Sequence, residues 1–76
     1  MLWIMSRPQQ RPGDRVYADL RARLESGEWT SGAQLPTVRE LAEHYGVAVR
    51  TVSRVLSRLA ADDLVTVVPG WGTFRS

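Results

Sequence analysis

Seventy-six residues with a net charge of +2, no cysteine and one histidine exclude a disulfide framework, a thiolate metal site and a histidine metal cluster. A chain this short buries only about 60% of its unfolded surface, so it makes one small domain with no deep interior and no expected cofactor. No apolar run approaches the ~20 residues that span a bilayer, and Met1-Leu-Trp-Ile-Met5 is shorter than a signal-peptide core of at least ~7 apolar residues, so a cytoplasmic protein without a membrane partner is expected.

Residues 1–13 are expected to form a flexible arm, with Pro8, Pro12 and Gly13 opposing helix, and residues 14–76 a single domain. A first helix is predicted from Asp14, a favourable N-cap. Val16, Tyr17, Leu20 and Leu24 follow on one face at helical spacing. Arg21 with Glu25, and Arg15 with Asp19, stand four apart and predict two surface ion pairs. Gly27 is the natural stop. Trp29 is expected to fold back as a core anchor, and Gly32-Ala-Gln-Leu-Pro36 to form a turn followed by a very short strand.

A second helix opens with a capping box, Thr37 facing the amide of Glu40 and Glu40 reaching back to Thr37. Leu41, Ala42 and Tyr45 form its inner side. The third helix is predicted over Val49–Ala61, burying Val52, Val55, Leu56 and Leu59. Between the two, small Ala42, Gly46 at the corner and Val52 facing back, with Leu41, Val47 and Val55 inward, are the pattern of a helix-turn-helix. Its second helix is usually offered to the major groove of DNA. Asp62-Asp63 provides no glycine to end that helix.

Leu64-Val-Thr-Val-Val68 is rich in branched residues, Pro69-Gly70-Trp71-Gly72 is a turn, and Thr73-Phe74-Arg75 returns. A hairpin placed directly after such a helix is a wing, and Gln34-Leu35 can supply the third strand that a lone hairpin needs. The predicted fold is therefore mostly α with a small β-wing, three helices plus a short antiparallel sheet.

All ten cationic side chains are arginine, whose planar fork suits bidentate contacts with phosphate and guanine. GC-rich coding accounts for the missing lysine but not for placement: Arg50, Arg54 and Arg58 fall between Gly46 and Ala61, a stretch without an acid. Arg50 and Arg54 share one helix face, opposite the apolar one. Each can bind a guanine edge, worth ~1–3 kcal/mol of discrimination, or stand solvated. Thr51 and Ser53 can donate to phosphate or be plain helix surface. Val49 fits either a thymine methyl or the helix corner. Arg58, near the far end, is expected to partner the helix dipole or a DNA backbone. Trp71 can lie in a minor groove, as apolar wedges do, or fold onto its own domain or a second subunit. His44 is expected on the surface. A nucleophile–base pair, a metal set and a phosphate-cradling glycine loop are all missing, so an enzyme is not expected.

Gly27-Glu-Trp29, Gly32, Leu35-Pro-Thr-Val-Arg-Glu-Leu-Ala42, Gly46-Val47, Thr51-Val52 and Gly70-Trp-Gly-Thr-Phe74, in this order, resemble the DNA-binding domain of the GntR family of bacterial regulators. The resemblance covers about Val16 to Phe74. It implies sequence-specific binding of double-stranded DNA by a transcriptional regulator such as a repressor. Arg39, the opening of the third helix and the wing tip at Gly70, Trp71 and Gly72 would touch DNA, with the helix N-termini at Thr37 and Ala48 holding the backbone. Four positions depart from the family pattern. Ala48 stands where a hydroxyl residue usually caps, so about 1 kcal/mol of capping is missing, and a bound phosphate can substitute. Val49 replaces a polar residue, Arg50 a threonine and Asp63 a glycine.

One such module offers only about 600–1,000 Å² to DNA, so a homodimer on a pseudo-palindromic operator, with half-sites ~34 Å apart, is expected. Family members usually continue into an effector-binding domain. This chain ends at the wing, either an excised domain or a regulator reduced to its reader; if 76 residues is the native length, no seat for a small-molecule effector is expected within it. A winged helix used only for protein–protein contact is the alternative. It predicts that Arg50→Ala and Arg54→Ala leave activity untouched.

Overall fold

In the computed structural model, which describes residues 11–76, the first helix, α1 (Pro12–Glu25), begins ahead of the predicted cap at Asp14. Arg11 is the N-cap in extended conformation, and Pro12 opens the helix. Proline is well suited to that first position, because its missing N–H would have no partner there and its φ is already helical. Pro12 and Gly13, read from sequence as breakers, thus belong to the helix. Asp14 lies in the first turn, where the helix dipole favours an acid. The rest of the expected arm, residues 1–10, lies outside the described residues. At the other end Gly27 donates to the Leu24 carbonyl and Glu28 to that of Arg23, both at 3.2 Å. This is the expected glycine stop.

Helix α2 (Val38–Tyr45) carries the full capping box. Thr37 Oγ1 accepts from the Glu40 amide at 3.1 Å, and Glu40 Oε1 accepts from the Thr37 amide at 2.8 Å. Gly46 ends the helix at φ 66°, a left-handed backbone that costs a residue with a Cβ roughly 1–2 kcal/mol. The Val47 amide then donates to the Ala42 carbonyl at 3.0 Å and closes the corner. Helix α3 (Val49–Ala61) has the predicted bounds. Its end shows what replaces the absent glycine: Asp63 adopts φ 62°, while the Asp63 and Leu64 amides donate to the carbonyls of Ala60 and Leu59 at 3.0 and 2.9 Å. The bond pattern matches that after α1, with an aspartate in the glycine's place.

Strands β1 (Val65–Val68) and β2 (Gly72–Arg75) pair antiparallel, Val65 opposite Arg75 and Val68 opposite Gly72. The expected third strand is reduced to one bridge, Gln34 with Phe74. It is nonetheless firmly tied, since Gly32 donates to the Arg75 carbonyl at 2.7 Å, and Arg75 and Leu35 donate to those of Ala33 and Thr73 at 2.8 Å.

The core joins Val16, Leu20 and Leu24 of α1, Leu41 and Ala42 of α2, and Val52, Val55, Leu56 and Leu59 of α3, closed by Leu35 and Val65. Trp29 packs at its edge, half-buried, with the Arg23 guanidinium 4.8 Å over the ring. Of the two predicted ion pairs, Arg21–Glu25 forms, with Nε 3.0 Å from Oε2. Arg15–Asp19 does not: Asp19 instead accepts from the Tyr45 hydroxyl at 2.5 Å. The tyrosine ring is held by the core, whereas an exposed i,i+4 pair is worth only ~0–1 kcal/mol.

Candidate nucleic-acid interface

Four buried residues, Val52, Val55, Leu56 and Leu59, fix the orientation of α3. The helical period then turns Arg50, Ser53 and Arg54 outward, and all three are exposed. The ion pairs among the described residues are Arg21 with Glu25 and Asp62, Arg23 with Glu28, and Arg58 with Asp14. Arg39, Arg50 and Arg54 have none with any described carboxylate. For Arg39 the neighbouring Glu40 is already committed to the cap of α2. Thr37 uses its oxygen as an acceptor in that cap, which leaves the hydroxyl proton available for donation.

Arg58 lies in the last turn of α3, as the dipole reading expects, and is also engaged within the domain. Its guanidinium lies 4.0 Å over the Tyr17 ring, and Nη1 is 3.2 Å from Asp14 Oδ1. Across the helix start, Ala48 provides no side-chain cap. Val49, 49% exposed, leaves half its surface open beside that first turn.

Two other elements flank α3. On one side Val38 of α2, Ser53 and Ser57 of α3 and Val67 of the wing line a single groove. On the other, the start of α1 approaches: a Cβ on Gly13 would sit 3.7 Å from the Thr51 methyl. Arg11, Thr51 and Arg54 line the cleft between them. The wing tip projects Trp71, 75% exposed, which overturns the reading that it folds onto its own domain. The tip is nevertheless braced. Trp71 N–H donates to the Val68 carbonyl at 2.9 Å, and Gln34 Nε2 donates to the Trp71 carbonyl at 3.0 Å. Gly72, at φ 129°, makes room for that amide, since a Cβ there would fall 2.6 Å from Gln34 Nε2. Gly70 is exposed in the same turn.

Two residues escaped sequence reasoning. Gln34 was read only as strand, and its hold on the wing spans 37 positions. Arg11 was placed in the arm; Pro12 as a helix opener was the signal that would have brought it into the fold.

The hydrogen bond from Arg23 pulls the Glu28 carboxyl below its usual range and raises the Arg23 guanidinium in turn. Burial, then the hydrogen bond to Asp19, pushes the Tyr45 phenol up. His44 is exposed, its ring edge-on to Tyr45 at 4.8 Å. Among the described residues no helix is long and apolar enough to cross a membrane. What α3 and its flanks offer is a set of donor-only guanidinium groups, hydroxyls and one exposed indole.

The family model for bacterial regulatory proteins of the gntR family matches residues 12–74. The chain is 34% identical over 62 residues to the HTH-type transcriptional repressor NagR of Bacillus subtilis, covering 82% of this chain and 26% of that protein. With the HTH-type transcriptional regulator TreR of the same organism it shares 31% over 58 residues, 76% of this chain and 24% of the relative. The chain thus spans about a quarter of the length of these relatives. Among solved structures, the DNA-binding domain of AraR in complex with operator ORE1 superposes with a TM-score of 0.90 at 23% identity, covering 96% of this chain and 89% of that one. A transcriptional regulator from Oenococcus oeni superposes at 0.79 with 26% identity, covering 99% and 63%. Three helices, a glycine corner and a braced wing, matched along nearly all of the described residues, make this chain a member of the GntR family of bacterial regulatory proteins.

Proposed function

We propose that this chain binds double-stranded DNA sequence-specifically as the reader of a transcriptional regulator, with α3 in the major groove and the wing in the adjacent minor groove. One observation carries the reading: Arg50 and Arg54 stand exposed and without a described counter-ion on the acid-free face of α3. A major groove about 12 Å wide admits an α-helix. Four residues of helix rise about 6 Å, close to two base steps at ~3.4 Å each. The two arginines can therefore reach neighbouring positions of one strand, one at a base edge and the other at the backbone. Arg39, Thr37, Thr51 and Ser53 hold the phosphates, the open amides at Ala48 receive another, and Val49 faces a thymine methyl. Trp71, between Gly70 and Gly72, lies against the sugars of the minor groove.

The names of the relatives support a regulatory role in transcription, repression included, and the proposed setting is the bacterial cytoplasm. Two copies on a pseudo-palindrome supply the affinity that one small module lacks. Equilibrium ultracentrifugation at saturation is expected to give two chains per operator; one chain would refute the dimer. The test of the reading itself is selection of bound duplexes from random DNA, repeated with Arg50→Ala. A recovered consensus that loses its preference at one guanine assigns Arg50 to base reading. Absence of any enriched duplex would reject the reading.

A further inference from the structure

The cleft between the start of α1 and α3 is about 310 Å³, and its polar lining is Arg11, Asp14, Thr51, Arg54 and Arg58. Asp14 is met by Arg58 at 3.2 Å, and the Arg58 guanidinium is further fixed over Tyr17. That pairing removes the cleft's one acid as a partner for the rest. Arg11 and Arg54 then face the same space from two elements, and Thr51 lines it with them. The cleft meets the outward face of α3 at Arg54, which belongs to both. DNA seated along that face brings its sugar–phosphate backbone to the mouth of the cleft.

We infer that Arg11, at the N-cap of α1, joins Arg54 in gripping a backbone phosphate, so that α1 is a third DNA-contacting element beside α3 and the wing. The inference rests on the DNA-binding reading above and adds a site to it. An anion with several acceptor oxygens suits two guanidinium forks approaching from different sides. Such a contact positions the domain and carries no base preference.

The test is the salt dependence of duplex binding by the 76-residue chain and its Arg11→Ala, Arg11→Lys and Arg21→Ala variants, on a duplex recovered by selection. Removing one phosphate contact lowers the slope of log affinity against log salt by about 0.9, so the affinity ratio between 50 and 200 mM salt shrinks about 3.5-fold. Arg11→Ala should show that change with an unaltered base consensus and unaltered melting, since Arg11 supplies α1 only with its backbone carbonyl, to Arg15 at 3.1 Å. Arg11→Lys should recover most of the slope. Arg21→Ala removes an equal charge at the far end of α1 and should leave the slope near that of the unaltered chain. An Arg11→Ala slope equal to the unaltered one, an equal loss in Arg21→Ala, or a shifted consensus would each overturn the inference. Loss of binding on Arg54→Ala alongside an inert Arg11→Ala would reject this site while sparing the wider reading.

Discussion

Arg21 and Arg23 of α1 and the arginines on the outer face of α3 are one side chain in two settings. Arg21 lies 3.0 Å from Glu25 and 3.5 Å from Asp62, and Arg23 lies 2.6 Å from Glu28 while also donating to the Tyr45 hydroxyl at 2.9 Å. Arg50 and Arg54, equally helical and exposed like Arg21, meet no described carboxylate. Charge count and exposure therefore do not locate an interface on this surface. What separates Arg21 and Arg23 from Arg50 and Arg54 is whether the fold supplies a counter-ion, although Arg15 of α1 also meets no described carboxylate. The first set steadies the domain, each exposed pair worth only ~0–1 kcal/mol; the second is left for a partner that brings its own negative charge.

The most severe way to break this contrast is to remove the support both regions share. Leu59 is fully buried beneath α3, and Leu59→Ala should cost ~2–5 kcal/mol of stability. Thermal denaturation followed by circular dichroism reads that loss; an unchanged midpoint would place α3 differently. Next in size, Arg54→Ala should weaken duplex binding by ~1–3 kcal/mol with its melting midpoint unmoved. Arg21→Ala should do the reverse, a small change in midpoint and none in binding. Equal binding losses in both variants would dissolve the comparison.

A smaller effect sharpens the account at the end of α3. Asp63 holds φ 62°, where glycine is free of the Cβ penalty, so Asp63→Gly should stabilise by about 0.5–1 kcal/mol without touching DNA affinity. A destabilised variant would mean that the carboxylate itself is needed there. Smallest is the pH response of the α1 side. The Arg23 hydrogen bond holds Glu28 below its ordinary 4.5. The folded state thus favours the ionised form, and the benefit is present above that value and lost as pH falls through the lowered one. The melting gap between the unaltered chain and Glu28→Gln should be open at neutral pH and close in acid. A gap that persists in acid would contradict the pairing.

Much of the fold was legible because its signals are local. The capping box at Thr37 and Glu40, the corner at Gly46 and the bounds of α3 depend on residues within a turn of each other, and all are found. The contacts that the sequence did not announce share the opposite property. Arg58 finds Asp14 across 44 positions, and Asp19 is taken by Tyr45 across 26. Nothing in spacing along the chain could have announced either. The start of α1 was misread for another reason: Pro12 breaks a helix from within but opens one at its first position. At the candidate interface, periodicity was enough to turn Arg50 and Arg54 outward. The brace from Gln34 and the approach of Arg11 needed the assembled domain.

The most direct measurement is the map of backbone amide shifts on adding a selected duplex to the isotopically labelled chain. The account predicts that the amides of Arg39, Arg50, Arg54 and Trp71 move while those of Arg21 and Arg23 stay in place. Shifts centred on Arg23 and Trp29, with α3 and the wing tip silent, would contradict it.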